Sequence, residues 1–187
     1  ILFFKQTDDT LITKALNGDQ NAWQKLVKRY ESNVYAYALR MTSNQADAMD
    51  LMQETFVSVC KNLHQFKGQS SFKTWLMSLA HFRCVDFYRR KKLERDEQQE
   101  PDNLVSFDEQ TSPSRNFEDK RKKNELLSYL NQLPFEQKLV VEQKIYQQMT
   151  FEQIAEQMGV STNTIKSKFY SALEKLKRVI ESEDYAA

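Results

Sequence analysis

Three glycines and three prolines in 187 residues leave this chain little with which to turn a β-hairpin. Long stretches instead repeat apolar residues at spacings of three and four, the period of a half-buried α-helix. The chain is therefore expected to be all-α, and its length allows one medium domain or two small ones, each with its own core. No apolar run reaches membrane-spanning length, and the opening ILFF is too short for a signal peptide. Ile1 in place of Met reads as a truncated or processed end. Cys60 and Cys84 both lie among apolar residues in helical patterns, so they are expected to be buried, reduced thiols in a cytoplasmic protein.

A formal net charge of +1 conceals a segregation. Residues 1–93 carry a formal charge of +6, residues 94–119 carry −7 and residues 120–187 carry +2. Local fields rather than the net sum attract a polyanion, so two basic segments joined by an acidic one matter more than the whole-chain charge.

Thr7 or Asp8 can cap a first helix bearing Leu11, Ile12, Ala15 and Leu16; Gly18 then stops it and Asp19 caps the next. The second helix carries Ala22, Trp23, Leu26, Val27 and Tyr30 and continues through Val34, Tyr35, Ala38 and Leu39 as core. From Gln45 to Phe66 a third helix reads as two-faced. Met49, Met52, Phe56, Val59, Cys60 and Leu63 form its apolar side, and Asp47, Asp50 and Glu54 form an acidic stripe opposite. Acidic residues in a first turn suit the helix dipole, which accounts for Asp47 and Asp50 but less well for Glu54.

The polar loop Lys67–Ser71 ends in a Ser N-cap and leads into Phe72–Lys92, a helix that starts with Phe72, Leu76 and Leu79 facing a core, Trp75 and Phe82 at its edge. Continued, the same stripe carries Arg83, Asp86 and Arg90, with Lys73, Tyr88, Arg89, Lys91 and Lys92 around it. Aromatic and basic groups so mixed suit nucleic-acid backbone and bases. A core helix with a solvated charged end is the plainer alternative.

Periodicity disappears from Glu94 to Asp119, a Pro-containing acidic stretch expected to be a flexible linker between two domains, 1–93 and 120–187. Beyond it come Leu126, Leu127, Leu130 and Leu133 before Pro134, then Leu139, Val140, Ile145 and Tyr146. Thr150 and Gln153 form a capping box for a short helix with Ile154, Ala155 and Met158, Gly159-Val160-Ser161 turns the chain, and Ser161 caps a long last helix with an inward stripe of Ile165, Phe169, Ala172, Leu176, Val179 and Ile180. Short helix, glycine turn, long helix is helix-turn-helix organisation. The other side of the last helix offers Asn163, Lys166, Ser167, Tyr170 and Ser171, flanked by Thr164 and Lys168, to phosphates and base edges.

Four motifs in this order, GDQNAWQKLVKRY (18–30), DAMDLMQETFVSV (47–59), FKGQSSFKTWLMSLAHFRCVDFYRR (66–90) and the segment from Leu130 to Lys177, resemble a bacterial RNA polymerase sigma factor of the extracytoplasmic-function group of the sigma-70 family. The resemblance covers the chain from about Asp8 to Glu181. It implies a sigma region 2 over 1–93, an acidic linker over 94–119 and a helix-turn-helix sigma region 4 over 120–187. It further implies that Asp47, Asp50, Gln53 and Glu54 dock on core polymerase. Lys67, Ser70, Ser71, Lys73, Trp75, Arg83, Arg89 and Arg90 would contact the minus-ten promoter DNA and its melted non-template strand, with Asp86 orienting neighbouring arginines. Ser161, Asn163, Thr164, Lys166, Ser167, Lys168, Tyr170 and Ser171 would contact the double-stranded minus-thirty-five element.

Such a factor works without a catalytic residue, metal, cofactor or small-molecule substrate, and the sequence shows no nucleophile, metal cluster or phosphate-binding glycine loop. The resemblance implies a cytoplasmic protein held by an anti-sigma partner that is often membrane-anchored. Relatives often carry Asn or His where this chain has Phe82, and Arg where it has Lys138 and Lys168; Lys cannot reproduce a bidentate fork. The alternative is a stand-alone helix-turn-helix regulator that never uses core polymerase, with residues 1–93 as a sensing or dimerisation module.

Overall fold

The computed structural model describes residues 6–98 and 117–184, and the heart of the expected linker, 99–116, lies outside them. Every element among the described residues is helical. The chain divides into two units, residues 1–103 and 104–187.

The first unit holds α1 (Asp8–Leu16), α2 (Gln20–Thr42), α3 (Gln45–Asn62), a 3-10 turn (Leu63–Gln65) and α4 (Phe72–Gln98). Its helix starts follow side-chain chemistry. The oxygens of Thr7, Asp19, Asn44 and Ser71 each accept a hydrogen bond from the backbone N–H three residues on, at 3.3, 3.1, 3.0 and 3.1 Å. Thr7 takes the cap of α1, which frees Asp8 for a longer reach: its carboxylate accepts from the Tyr30 hydroxyl and the Arg29 guanidinium. Burial, helped by that bond, pushes the Tyr30 phenol up to about 12. Far along the chain, the Tyr88 hydroxyl donates to the Met41 carbonyl at 2.9 Å, satisfying one of the orphan acceptors at the C-terminal end of α2.

The core of this unit contains Leu11, Leu26, Val34, Tyr37, Met41, Leu51, Val59, Leu76 and Cys84, all with essentially no exposure. The inward face of α3 differs from the sequence expectation. Ala48, Leu51, Thr55, Ser58 and Val59 point inward, whereas Met49 and Cys60 are exposed and Met52 and Phe56 are half-buried, so the helix is rotated by about a quarter turn from the reading based on large apolar residues. Small side chains let neighbouring helices approach closely. Thr55 and Ser58 can afford burial because each is satisfied: the Thr55 hydroxyl donates to the Leu51 carbonyl at 2.7 Å, and the Ser58 hydroxyl accepts from Arg83 Nε at 2.5 Å. Cys84 is buried as expected; Cys60 is not. Leu16 is also largely exposed rather than core.

The second unit comprises α5 (Phe117–Asn131), α6 (Phe135–Val141), a π-helical turn (Glu142–Tyr146), α7 (Phe151–Met158) and α8 (Thr162–Asp184). Leu130, Leu133, Val141 and Ala172 make one part of its core, and Val140, Ile154, Ala155 and Ile165 another, with Phe169 packed against both. The π turn is closed by the Gln147 N–H bonding the Glu142 carbonyl at 3.2 Å. An extra residue in the turn rotates the chain beyond it. Ile145 and Tyr146, expected in the core, are consequently exposed, while Lys138, Glu142 and Gln143 are buried. Lys138 Nζ donates to Asn131 Oδ1 at 2.7 Å. At the end of α8, Ile180 is likewise exposed rather than inward.

Two residues beyond the π turn Gln148 adopts φ 56°, a left-handed conformation that penalises any residue with a Cβ. Gln148 is exposed, so its replacement is read through the backbone alone. Gln148→Gly is expected to stabilise the second unit by about 1 kcal/mol, part of the relief being offset by the greater freedom of Gly in the unfolded chain. Chemical denaturation of the two proteins checks it; an unchanged or lowered midpoint contradicts it.

Candidate nucleic-acid interface

The loop Lys67–Ser71 stands on an aromatic base. Phe66, just before it, packs on Phe72 and Trp75, just after it, with ring centroids 5.6 and 5.4 Å away, and Tyr30 of α2 packs on Phe72 at 5.4 Å. Loop residues Lys67, Ser70 and Ser71 are exposed between these anchors, as is Lys73 at the first turn of α4. Trp75 is half-buried in the ring cluster, so its first task is to hold the loop.

The cationic half of α4 does not stand free. Arg83 bonds Ser58 of α3 and lies 3.8 Å from Asp86 on its own helix. Arg90 donates to both carboxylate oxygens of Glu54, at 3.0 and 2.8 Å, and Lys91 pairs with Asp47. Glu54 and Arg90, assigned by the resemblance to different partners, are thus bonded to each other. Exposed pairs of this kind contribute little to stability, about 0–1 kcal/mol each, but they neutralise the charges they join. Arg89 is exposed and has no ionic partner among the described residues.

With Glu54 and Asp47 leaning toward α4, the outward strip of α3 is centred on Asp50, Gln53 and Val57, all exposed, with Met49 and Cys60 along its other flank. Val57 is 52% and Met49 43% exposed. Aliphatic groups with a few polar ones between them are characteristic of protein-binding surfaces.

In the second unit Thr150 and Gln153 form the capping box of α7, at 3.2 and 2.8 Å. The Glu152 carboxylate, bonded to its own backbone N–H and to the Thr150 hydroxyl at this helix start, is held below the usual carboxylate range. Gly159 turns the chain at φ 66°, and the Ser161 hydroxyl accepts from the Thr164 N–H at 3.1 Å to start α8. Phe151 fixes the angle between α7 and α8: its ring packs on Phe169 at 5.4 Å and Tyr170 at 6.4 Å and lies under Lys144 at 4.7 Å and Lys166 at 5.9 Å.

Asn163, Lys166, Ser167 and Tyr170 share the exposed face of α8, and Tyr170 is 61% exposed. Four of the expected contacts are otherwise engaged, Ser161 among them as the cap of α8. Lys168 lies well round the helix, half-buried and paired with Glu136 of α6; Ser171 accepts from Gln137 Nε2 at 3.2 Å; Thr164 bonds the Ser161 hydroxyl at 2.8 Å within the cap. Lys144, in the π turn, is a cation beside this face that helical spacing had not singled out.

The family model for sigma-70 region 2 matches residues 26–94, and that for sigma-70 region 4 matches residues 123–176. The RNA polymerase sigma factor SigV of Bacillus subtilis is 26% identical over 157 residues, covering 83% of this chain and 89% of its own. The ECF RNA polymerase sigma-E factor of Haemophilus influenzae is 24% identical over 182 residues, covering 94% of this chain and 96% of its own. Among solved structures, the sigma factor RpoE from Bartonella quintana, determined with the anti-sigma factor NepR, has the same fold with a TM-score of 0.64 at 20% identity, over 84% of this chain and 96% of that one.

Proposed function

The chain belongs to the extracytoplasmic-function group of the sigma-70 family of RNA polymerase sigma factors, and from that premise we propose how its parts direct core polymerase to promoters. The outward strip of α3, centred on Asp50 and Gln53 and extended by Met49 and Val57, docks on core polymerase. Asp47 and Glu54 flank it and hold the cations of α4. The loop Lys67–Ser71 with Lys73 and Arg89 meets the minus-ten DNA, and Arg90 joins them when its pair with Glu54 opens. The exposed face of α8, Asn163, Lys166, Ser167 and Tyr170, lies in the major groove of the minus-thirty-five element.

The observation that supports this division is that adjacent helices of one unit expose unlike faces. On α3 it is aliphatic and acidic; on α4 it is aromatic and cationic. One suits a protein and the other a melted strand. Unstacking a base pair costs a few kcal/mol, and binding the freed strand offsets it without any covalent step. Domain boundaries near 93 and 120 go with this reading, although α4 runs to Gln98 and α5 begins at Phe117.

The Bartonella quintana sigma factor RpoE is bound by the anti-sigma factor NepR, and we propose that a protein of that kind covers the α3 strip of this chain, keeping the factor inactive in the cytoplasm. No described helix is long and apolar enough to cross a membrane.

Run-off transcription tests the proposal. Purified core polymerase plus this chain is expected to give promoter-dependent transcripts and a complex stable to gel filtration. Absence of both, with DNA binding retained, would mark a helix-turn-helix regulator that acts without polymerase.

A further inference from the structure

Phe82 is 52% exposed, and among the described residues of the first unit it is the one Phe, Tyr or Trp that stands on the open surface. A lone apolar side chain on a surface is ordinary. Phe82 differs because of the company on its stripe. Seven residues before it is Trp75 and seven after it is Arg89, so the three project from nearly the same side of α4 at steps of about 10 Å. The ring is also held: it meets the buried His81 ring in a T-shaped contact at 5.5 Å and 73°, leaving half of the residue open to solvent. An aromatic ring fixed in place, with a loop at one end of its stripe and an exposed cation at the other, is what a single strand requires of a stacking platform.

We propose that Phe82 stacks on one unpaired base of the melted strand, and that because it carries no hydrogen-bonding group it does so without reading which base that is. The inference deepens the minus-ten assignment above and rests on it. Asp86, on the same stripe, does not oppose the strand as a free charge, since it lies beside Arg83. The result is a promoter position that needs a base and tolerates any.

The test uses holoenzyme assembled from the full chain and core polymerase. The probe is a duplex with a pre-melted bubble whose non-template strand is randomised, followed by an abasic scan across one retained sequence. The wild type and Phe82→Trp are expected to show one position where all four bases are retained alike but an abasic site lowers retention about tenfold. Phe82→Leu, which keeps an apolar side chain and loses the π face, is expected to lose that abasic sensitivity while unfolding at the wild-type midpoint. Phe82→Asn should introduce a base preference there. Equal abasic sensitivity in wild type and Phe82→Leu overturns the stacking role alone. A wild-type holoenzyme that retains no bubble DNA overturns the minus-ten assignment and the stacking role with it.

Discussion

Asp50→Lys combined with Val57→Glu is expected to weaken binding of the chain to core polymerase by about 100-fold or more, with little change in its unfolding midpoint. The two side chains sit at the centre of the outward strip of α3, and neither packs into the unit. Exposed positions away from caps and cores tolerate substitution within about 0.5 kcal/mol, so folding is spared. A buried charge or a lost anchor at the centre of an interface costs about 2 kcal/mol or more, and two together reach the stated factor. Glu54 is a poorer probe. Its replacement by Lys also releases Arg90, whose guanidinium it holds with both oxygens, and so changes the DNA-facing helix in the same step. Glu54→Gln is therefore expected to affect core binding far less than the Asp50 and Val57 pair, and to strengthen the salt-dependent attraction of the free chain to single-stranded DNA. Fluorescence anisotropy of labelled chain against core polymerase measures the first effect. Wild-type affinity in the double variant would remove the α3 strip from the docking surface.

What could be read from the sequence was local. The caps at Asp19, Ser71, Thr150 and Ser161 form between residues three apart, so residue type and spacing carry all the information needed. The helix-turn-helix was visible for the same reason: a capping box, a glycine at positive φ and a Ser cap fall within about a dozen residues. The four motifs carried the family.

What escaped depended on partners distant in sequence. Arg90 and Glu54 are 36 residues apart, and Lys91 and Asp47 are 44 apart, so a stripe of acids and a run of bases looked like two binding sites before they looked like one set of ion pairs. On α3 side-chain size is a poor sign of burial. There the close approach of helices selects Ala48, Thr55 and Ser58, and leaves larger residues for the outside. The π turn is invisible in the sequence because nothing in a helical repeat announces one extra residue, and its consequence falls on Ile145 and Tyr146, turned outward.

Acid is expected to destabilise the first unit through His81, well before most carboxylates are protonated. The side chain is 3% exposed, and burial pushes the imidazole from its ordinary 6.5 down to about 4. Between those values the unfolded chain holds a proton at this position and the folded chain does not. Stability therefore falls as pH drops, by about 1.4 kcal/mol per pH unit, and about 2 kcal/mol is lost between pH 6.5 and 5. A stable domain has on the order of 5–15 kcal/mol to lose, so the effect is a sizeable part of the whole. His81 lies in α4 between the aromatic base of the loop and the cationic end, one residue before Phe82, so the helix that weakens is the one assigned to DNA. Equilibrium denaturation at several pH values, comparing wild type with His81→Gln, separates this from general acid sensitivity: the variant starts less stable but is expected to show a nearly flat dependence from pH 6.5 to 5. Parallel curves for the two proteins would mean that His81 already takes up its proton in the folded state, and that its burial is relieved by a local opening of α4.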